Sequence, residues 1–402
     1  MKIFVVNCGS SSIKYQLIDM KNESVIAKGL IERIGMKGSM LTHTTVGKDK
    51  VKLPSAIPDH VDGIKKILAA LVNEKYGALT SLSEIDAVGH RVVHGGEKYS
   101  ASVLIDAKVL RTVDKLSEMA PLHNPPNIAG IKACKKLMPK VPQVAVFDTA
   151  FHQTMPPVAY MYGLKYDEYK KSGIRRYGFH GSSHRYVSAY AAKMLKKPAS
   201  KLRIITCHLG NGSSIAAVYK GKSIDTSMGF TPLAGLIMGT RCGDIDPAVV
   251  PVLMAKKKLD PAAMDKYMNK ECGVLGVSGV SSDFRDLETA AAKGNARAQL
   301  ALDMFCYQVK KYIGAYAAVM DGVDAIVFTA GVGENDIGTR AKICEGLDYL
   351  GVKLDKKRNN VRGEATEISS AKSKVKVLLI PTNEELVIAR DTDKICKGLK
   401  KK

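Results

Sequence analysis

The stretch that decides the fold is residues 2–18, Lys2-Ile-Phe-Val-Val-Asn-Cys-Gly-Ser-Ser-Ser-Ile-Lys-Tyr-Gln-Leu-Ile18. An apolar run, Ile3 to Val6, stops at Asn7, and the small residues Gly9 to Ser12 follow it. Residues 13–17 then alternate apolar and polar, the period of a half-buried strand. The stretch therefore predicts a strand, a turn and a second strand. A Gly-Ser turn leaves backbone N–H groups accessible and adds hydroxyl donors, which suits an anion such as phosphate; an ordinary polar hairpin is the alternative.

The same pattern returns near the middle of the chain, in Leu202-Arg-Ile-Ile-Thr-Cys-His-Leu-Gly-Asn-Gly-Ser-Ser-Ile-Ala-Ala-Val-Tyr219. Within the two copies, Gly9-Ser-Ser-Ser-Ile13 aligns with Asn211-Gly-Ser-Ser-Ile215. A second echo pairs Asp86-Ala-Val-Gly with Asp324-Ala-Ile-Val. Two copies in corresponding places predict a duplicated domain, each half presenting a phosphate-binding hairpin to a shared cleft.

The bulk composition is that of a soluble globular protein. A chain of 402 residues predicts at least two domains, and 46% hydrophobic with 25% charged residues is ordinary. We expect no signal peptide, because the only apolar run at the N-terminus is short and ends in a polar turn. We expect no membrane span, because the chain has no uninterrupted apolar stretch of about 18 residues. The eight cysteines are scattered without a C-x-x-C pair, which favours reduced thiols in a cytoplasmic protein over a disulfide framework or a zinc site.

The formal net charge of +22 raises the alternative of a nucleic-acid or membrane partner. The lysines are spread along the chain, their tightest clusters are not interleaved with aromatic residues, and Trp is absent. A solvated basic surface is therefore the favoured interpretation, with no nucleic acid and no membrane as partner. Such a surface attracts anionic substrates, and salt screens that attraction.

Strands and helices alternate in both halves, which predicts an α/β protein with mixed sheets flanked by helices. Two such halves around a cleft resemble the actin/Hsp70/sugar-kinase (ribonuclease H-like) architecture. The predicted domains are residues 1–150 plus 385–402, on the acyl-substrate side, and residues 151–384, which bind nucleotide. Residues 121–126 are predicted as a rigid turn and residues 151–184 as a loop-rich stretch. The predicted strands are 24–31, 87–93, 144–147, 203–207, 214–219, 325–329 and 375–380; the predicted helices are 62–71, 109–119, 128–137, 248–256, 261–269, 296–320 and 384–399.

Two arginines are candidate anion ligands. Arg91 ends an apolar strand, where a charge is costly to bury unless it is paired. A structural ion pair is the alternative, but two phosphate hairpins favour an anion clamp. Arg241 lies in the Gly-rich segment 239–243, so it is the natural second arginine to stabilise a transferring phosphoryl group. His123 and His180 lie in loops bounded by Gly or Pro and are candidate donors.

Three oxygen-bearing side chains are candidate magnesium ligands: Asn7 before the first hairpin turn, Asp148 after a buried strand, and Glu384 before the last helix. Magnesium takes one or two carboxylates together with water and substrate phosphate. For Glu384 the alternative is an acid that interacts with the helix dipole. The Gly-rich segment Gly331 to Asn335 follows a strand and could contact a nucleotide, although it is neither G-x-G-x-x-G nor Walker A.

Six ordered motifs together resemble the acetate kinase family over essentially the whole chain. They are Asn7-Cys-Gly-Ser-Ser-Ser-Ile-Lys14, Gly89-His-Arg-Val-Val-His-Gly-Gly96, Tyr177-Gly-Phe-His-Gly-Ser-Ser183, His208-Leu-Gly-Asn-Gly212, Gly331-Val-Gly-Glu-Asn335 and Pro381-Thr-Asn-Glu-Glu385. The resemblance implies the reversible reaction of ATP with acetate to give ADP and acetyl phosphate (EC 2.7.2.1), a need for Mg²⁺ that Mn²⁺ can replace, and a homodimer.

The resemblance also implies roles for individual positions. The metal ligands would be Asn7 and Glu384, and Arg91 would bind the substrate carboxylate or phosphate. Asp148 is the implied acid/base, and His180 and Arg241, with His123 nearby, would stabilise the transition state. The implied pocket for the acetate methyl group is Val93, Leu122, Phe179 and Pro232. The implied nucleotide-binding residues are Ser10, Ser12, Lys14, His208, Leu209, Gly210, Asn211, Gly212, Asp283, Phe284, Arg285, Gly331, Val332, Gly333, Glu334 and Asn335.

The chemistry of acetate as the phosphoryl acceptor modifies the role implied for Asp148. A carboxylic acid with a pKa near 4–5 is already ionised at pH 7 and needs no general base. We therefore expect direct in-line transfer, with Asp148 orienting Mg²⁺ or the arginines rather than taking a proton. The alternatives are a propionate, butyrate or hydroxyl-directed kinase, and a non-catalytic nucleotide-dependent assembly or nucleic-acid-binding protein.

Overall fold

The computed structural model describes residues 1–121 and 123–399. The chain divides into two compact units: unit 1 comprises Met1–Ala150 and the segment from Asn383 onward, and unit 2 comprises Phe151–Thr382. Asn383 and Glu384, assigned to the second domain from the sequence, belong to unit 1. The closing helix begins at Glu384, and Asn383 precedes it and accepts from Leu386 N through Oδ1 at 3.0 Å.

Unit 1 is built on an eight-stranded mixed sheet in the order β5-β4-β3-β2-β1-β6-β8-β7. Its strands are β1 (Lys2–Cys8), β2 (Ser12–Asp19), β3 (Ser24–Glu32), β4 (Met40–Thr45), β5 (Val51–Pro54), β6 (Ala87–Val92), β7 (Val103–Leu104) and β8 (Gln143–Phe147). Its helices are α1 (His60–Leu71), α2 (Ala107–Lys115), α3 (Asn124–Leu137) and the closing helix (Glu384–Leu399). The predicted hairpin is confirmed: β1 and β2 are antiparallel, with Cys8 opposite Ile13. Strands β1, β6 and β8 run parallel, so their C-terminal ends share one edge.

Both faces of this sheet are buried because β1 is apolar on both sides. Phe4 and Val6 face a core that includes Ile64 of α1, while Ile3 faces a core that includes Ile388 of the closing helix. The closing helix comes close to β6 at a glycine. A Cβ on Gly89 would lie 2.5 Å from Thr392 Oγ1 and 2.6 Å from Ile388 Cγ2.

Unit 2 repeats the arrangement in a six-stranded sheet of order β11-β10-β9-β12-β14-β13. Its strands are β9 (Arg203–Leu209), β10 (Ser213–Tyr219), β11 (Lys222–Thr226), β12 (Ala325–Thr329), β13 (Thr366–Glu367) and β14 (Lys376–Leu379). Its helices are α4 (Pro157–Tyr160), α5 (Tyr166–Ser172), α6 (Gly181–Met194), α7 (Val249–Lys257), α8 (Pro261–Lys270), α9 (Gly273–Ser278), α10 (Phe284–Ala292), α11 (Ala296–Val319), α12 (Ala330–Asn335) and α13 (Ile337–Cys344). In each unit an antiparallel three-strand meander is followed by two parallel strands, so the predicted duplication and α/β class are confirmed.

The second sheet is also covered on both faces. Ile204 and Ala216 pack with Val187 of α6, while Ile205 and other residues of the opposite face pack against α11. The alternation of residues along β9 therefore decides which side chains face α6.

Two loop predictions were wrong in part. The stretch 151–184 contains α4, α5 and the first turn of α6. Helix α3 begins at Asn124, so the expected rigid turn includes its first turn. Proline is tolerated at that place because the first N–H groups of a helix have no intrahelical partner. Strands β7, β11 and β13 and helices α6, α9, α10, α12 and α13 were not predicted. None of the described helices is long and apolar enough to span a membrane. No disulfide bond joins any two of the eight cysteines, which all lie within the described residues.

Candidate functional site

In unit 1 the shared edge of the parallel strands gathers the predicted side chains. Asn7 lies at the end of β1, Arg91 at the end of β6, and Asp148 directly after β8. Arg91 Nη2 donates to Asp148 Oδ2 at 2.9 Å, and Arg91 Nε lies 3.9 Å from Glu384 Oε2. Asp148 is fully buried, whereas the Arg91 side chain is 19% exposed. Arg91 is therefore ion-paired, while its exposed part remains accessible to a ligand, so its role as an anion clamp stays a prediction.

The carboxylates of this edge outnumber the cations. Lys14 Nζ pairs with Glu385 Oε1 at 2.5 Å, so Lys14 and Arg91 face Asp148, Glu384 and Glu385. Burial raises the pKa of Glu384 to about 7; Arg91 opposes that rise, and the two neighbouring carboxylates add to it. An excess of hard oxygen donors held in this way suits a divalent cation.

A metal site here would need oxygen ligands from outside the protein. In residues 1–121 and 123–399, no group of three or more His, Cys, Asp or Glu side chains could hold a metal ion. Magnesium in kinases completes its shell with water and substrate phosphate, so one or two carboxylates with the Asn7 amide are a sufficient protein contribution.

The turn of the first hairpin is tied to its surroundings by side chains that the sequence analysis missed. Asn127 of α3 donates from Nδ2 to Cys8 O at 2.7 Å and accepts from Val93 N at 3.0 Å. His60 Nε2 lies 2.8 Å from Gly9 O. In the sequence, the only possible signal for Asn127 is its position as a polar residue on the buried face of a helix. The predicted anion ligands Ser10 and Lys14 are exposed, and Ser12 is half-buried.

The methyl-pocket residues lie in different units. Val93 is buried at the end of β6 in unit 1, and Leu122 is outside the described residues. Phe179 and Pro232 belong to unit 2, where Phe179 is buried. His123 is the residue before α3 and is half-buried.

In unit 2 the predicted His180 and Arg241 come together at the turn of the second hairpin. A Cβ on Gly212 would lie 3.5 Å from Arg241 Nη1 and 3.6 Å from His180 Nε2. The turn is held against the loop of Arg241, because Gly239 N donates to Asn211 O at 2.9 Å. Any side chain at Gly239 would overlap Asn211, whose Oδ1 lies 1.6 Å from the Cβ position.

Arg241 carries a charge that protein carboxylates do not neutralise. Its Nη1 donates to Pro232 O at 3.2 Å, and among the described residues it forms no ion pair. Burial lowers the pKa of Arg241 from its usual value. Because a half-buried guanidinium without a carboxylate partner gains from an anionic ligand, this side chain is suited to bind a phosphoryl group.

A cavity of about 910 Å³ lies beside this turn, entirely within unit 2. It contains eight of the predicted nucleotide-binding residues: Gly210, Asn211, Asp283, Phe284, Arg285, Gly331, Val332 and Asn335. Six further lining residues were missed: Ser282, Glu288, Asp336, Ile337, Gly338 and Arg362. Glu288 lies on α10, and the others come from the start of α13 and from two loops. No local pattern indicates that these segments lie close together.

Other predicted nucleotide-binding residues have structural contacts. The Glu334 carboxylate accepts from Ala330 N at 2.8 Å and from Thr382 N at 3.1 Å, so it fixes the turn between β12 and α12. Leu209 is fully buried in the core. His208 stacks on His180 with ring centroids 4.0 Å apart. Their contacts with nucleotide stay predictions.

Arg340, which the sequence analysis did not single out, holds together segments that carry cavity-lining residues. It is fully buried and donates to Gly333 O at 2.9 Å and to Asn359 O and Val361 O, each at 2.8 Å. It thereby joins α12 to the loop that leads to Arg362. Burial lowers the pKa of Arg340 to about 10, so it remains charged at neutral pH.

Comparison with known proteins gives consistent matches over the full length. Residues 2–390 match the acetokinase family. The chain is 62% identical over 395 residues to the acetate kinase of Clostridium novyi (strain NT), covering 98% of both chains. It is similar to the crystal structure of Porphyromonas gingivalis acetate kinase (TM-score 0.94, 52% identity, 98% and 99% of the two chains). It is also similar to that of a propionate kinase from Francisella tularensis subsp. tularensis SCHU S4 (TM-score 0.92, 42% identity, 98% and 99%).

Proposed function

The chain belongs to the acetokinase family and phosphorylates acetate with ATP, and we propose that it does so by direct, Mg²⁺-dependent, in-line transfer of the γ-phosphoryl group. The observation that carries this mechanism is the convergence of Arg241 Nη1 and His180 Nε2 on the Gly212 turn. Two donors aimed at one point can neutralise the charge that a phosphoryl group spreads over its equatorial oxygens.

The acceptor end of the reaction is assigned to Arg91. Its guanidinium is held by Asp148 and remains partly exposed, so it can bind the acetate carboxylate. Acetate is ionised at neutral pH and has no proton to lose. Asp148 therefore acts as a positioning residue for Arg91 and the metal shell. The apolar groups proposed to accept the methyl group are Val93, Leu122, Phe179 and Pro232.

Asn7 and Glu384, with Asp148 behind them, would hold the metal ion. The excess of carboxylates over cations at this edge supports a divalent cation, and Mn²⁺ has the same preference for oxygen ligands. A bound Mg²⁺ would supply the positive charge that neutralises nucleotide phosphate oxygens. Bound cation would also favour the ionised form of Glu384.

The cavity of unit 2 is assigned to the nucleotide. Its Gly-rich wall, Gly331 to Asn335, permits close approach, and Arg285 and Arg362 supply positive charge at its rim. Ser10, Ser12 and Lys14 of the first hairpin are proposed to contact the phosphate chain. The homodimer and the cytoplasmic location inferred from the sequence stay predictions.

A hydroxamate assay tests the reaction directly, because acetyl phosphate reacts with hydroxylamine. We expect product with ATP, acetate and Mg²⁺ and none with EDTA. Propionate and butyrate should be assayed in parallel, since the similarity to a propionate kinase makes propionate the second candidate acceptor. One extra methylene changes binding by only about 1–3 kcal/mol, so the ratio of kcat/KM values identifies the preferred acid. Absence of product with all three acids would contradict the proposal.

A further inference from the structure

Unit 2 contains a cluster of four histidines, of which the mechanism uses only His180. The His180 and His208 rings stack at 4.0 Å, His184 and His208 lie 6.2 Å apart, and His152 and His184 lie 5.6 Å apart between centroids. The two ring nitrogens of His152 form hydrogen bonds with Ser223 Oγ and Phe179 O. The hydrogen bonds of His184 lead to His180.

Strand geometry explains why these groups meet. Thr206 and His208 are two residues apart on β9, and Ser214 lies opposite His208 in the hairpin, so all three share one face of the sheet. Helix α6 packs on that face and places His184 there. His184 Nδ1 lies 2.7 Å from Thr206 Oγ1, and His184 Nε2 lies 2.7 Å from Ser214 Oγ. Ser214 Oγ lies 2.9 Å from His180 Nδ1.

The direction of these hydrogen bonds is decided by Thr206, the first residue of the hydrogen-bonded series. Thr206, His184 and Ser214 are fully buried. In the part of the chain that the structure describes, the Thr206 hydroxyl group has His184 Nδ1 as its side-chain partner. A buried hydroxyl proton without an acceptor is costly, so Thr206 donates and Nδ1 of His184 carries no proton. Burial, with His152 and His208 nearby, lowers the pKa of His184 well below its usual value, so the ring is neutral.

The positions of the protons on His184, Ser214 and His180 follow from this direction. A neutral His184 with an accepting Nδ1 carries its proton on Nε2 and donates it to Ser214 Oγ. The Ser214 hydroxyl proton in turn is donated to His180 Nδ1. We propose that Thr206, His184 and Ser214 form a positioning relay that holds His180 as the tautomer with its proton on Nε2.

This inference rests on the phosphoryl-stabilising role proposed for His180. Nε2 is the His180 atom that faces the Gly212 turn, beside Arg241. The relay therefore presents an N–H donor at the place assigned to the phosphoryl group. The relay residues act through His180, and none of them is assigned a contact with substrate. His180 itself has a left-handed backbone, φ +56°, so its conformation depends on such side-chain support.

Nitrogen-15 NMR of protein labelled at its nine histidines reads the tautomers. The His180 signal is assigned by its loss in His180→Gln. We expect an Nε2-protonated His180 in the wild-type protein and a mixture of tautomers in Thr206→Val, which keeps the β-branched shape but removes the first donor. We expect kcat of Thr206→Val to fall roughly tenfold with little change in KM, since a hydrogen bond of ordinary strength is lost.

Thr206→Ser is the matched control, because it retains the hydroxyl group and should restore both the tautomer and kcat. An Nδ1-protonated His180 in the wild-type protein would overturn the relay, as would unchanged kcat in Thr206→Val. The wild-type spectrum needs no variant, so a misfolded variant does not remove the test. Failure of the proposed function would instead appear as absence of acetyl phosphate from the wild-type protein, whatever the tautomer of His180.

Discussion

Arg241 is the residue whose environment most directly indicates catalysis. It is a half-buried cation beside the Gly212 turn, and among the described residues it has no carboxylate partner. We expect Arg241→Ala to lower kcat by about 10²–10³-fold, as for loss of one preorganised charge-stabilising donor. Arg285→Ala is the matched control: its exposed side chain lines the cavity proposed to bind the nucleotide, so KM for ATP should rise more than kcat falls. Steady-state kinetics that show near-normal turnover in Arg241→Ala would exclude its transition-state role.

Asp148 differs from Arg241 because its charge is already paired. Asp148→Asn keeps the side-chain shape but removes the carboxylate that holds Arg91 at 2.9 Å. We expect the Mg²⁺ concentration for half-maximal rate to rise about 10–100-fold, the usual effect of losing a group that supports a metal site. Titration of initial rates with Mg²⁺ measures this. A lost limb of the pH–rate profile with unchanged Mg²⁺ dependence would favour proton transfer by Asp148 instead.

At the scale of elements, the closing helix places Glu384, and its close approach to β6 depends on Gly89. We expect Gly89→Ala to destabilise the fold by about 1–3 kcal/mol, because its Cβ would lie 2.5 Å from Thr392 Oγ1. Gly398→Ala lies on the same helix with no atom within 4 Å of the new Cβ, and it should be neutral or stabilising by up to about 1 kcal/mol. Urea unfolding measures both. Equal stability of the two variants would show that the helix adjusts without cost.

The sequence predicted elements whose signals are local and missed those set by distant partners. Both hairpins were predictable because the apolar strand residues and the Gly, Asn and Ser turn residues lie within a few positions of one another. The start of α6 was taken as loop, yet Ser183 is buried there, with its Oγ 2.8 Å from His208 Nδ1 of β9. Arg340 gave no signal because the carbonyl groups it binds belong to other segments. Of the predicted residues that line the unit 2 cavity, those of the second hairpin and of the segment Gly331 to Asn335 were indicated by their own Gly-rich patterns, whereas Asp283, Phe284 and Arg285 came from the family resemblance alone.

At the scale of the whole molecule, the net charge of +22 should act on the encounter with nucleotide. Raising the salt concentration from 0.1 to 1 M shortens the screening length from about 10 Å to about 3 Å. We expect the association rate constant of a fluorescent ATP analogue to fall at least about tenfold over that range, because long-range attraction of the anion is lost. Stopped-flow fluorescence measures the rate.

The matched ligand for that experiment is the same fluorescent group on adenosine, which enters the same proposed cavity without phosphate charges. Its association rate should change little, because screening does not act on a neutral ligand. A parallel fall for both ligands would place the salt effect on the cavity itself, for example on the exposed pair of Arg285 and Asp283 at its rim. A rate independent of salt for the ATP analogue would show that the basic surface is arranged away from the nucleotide's path and contributes no steering.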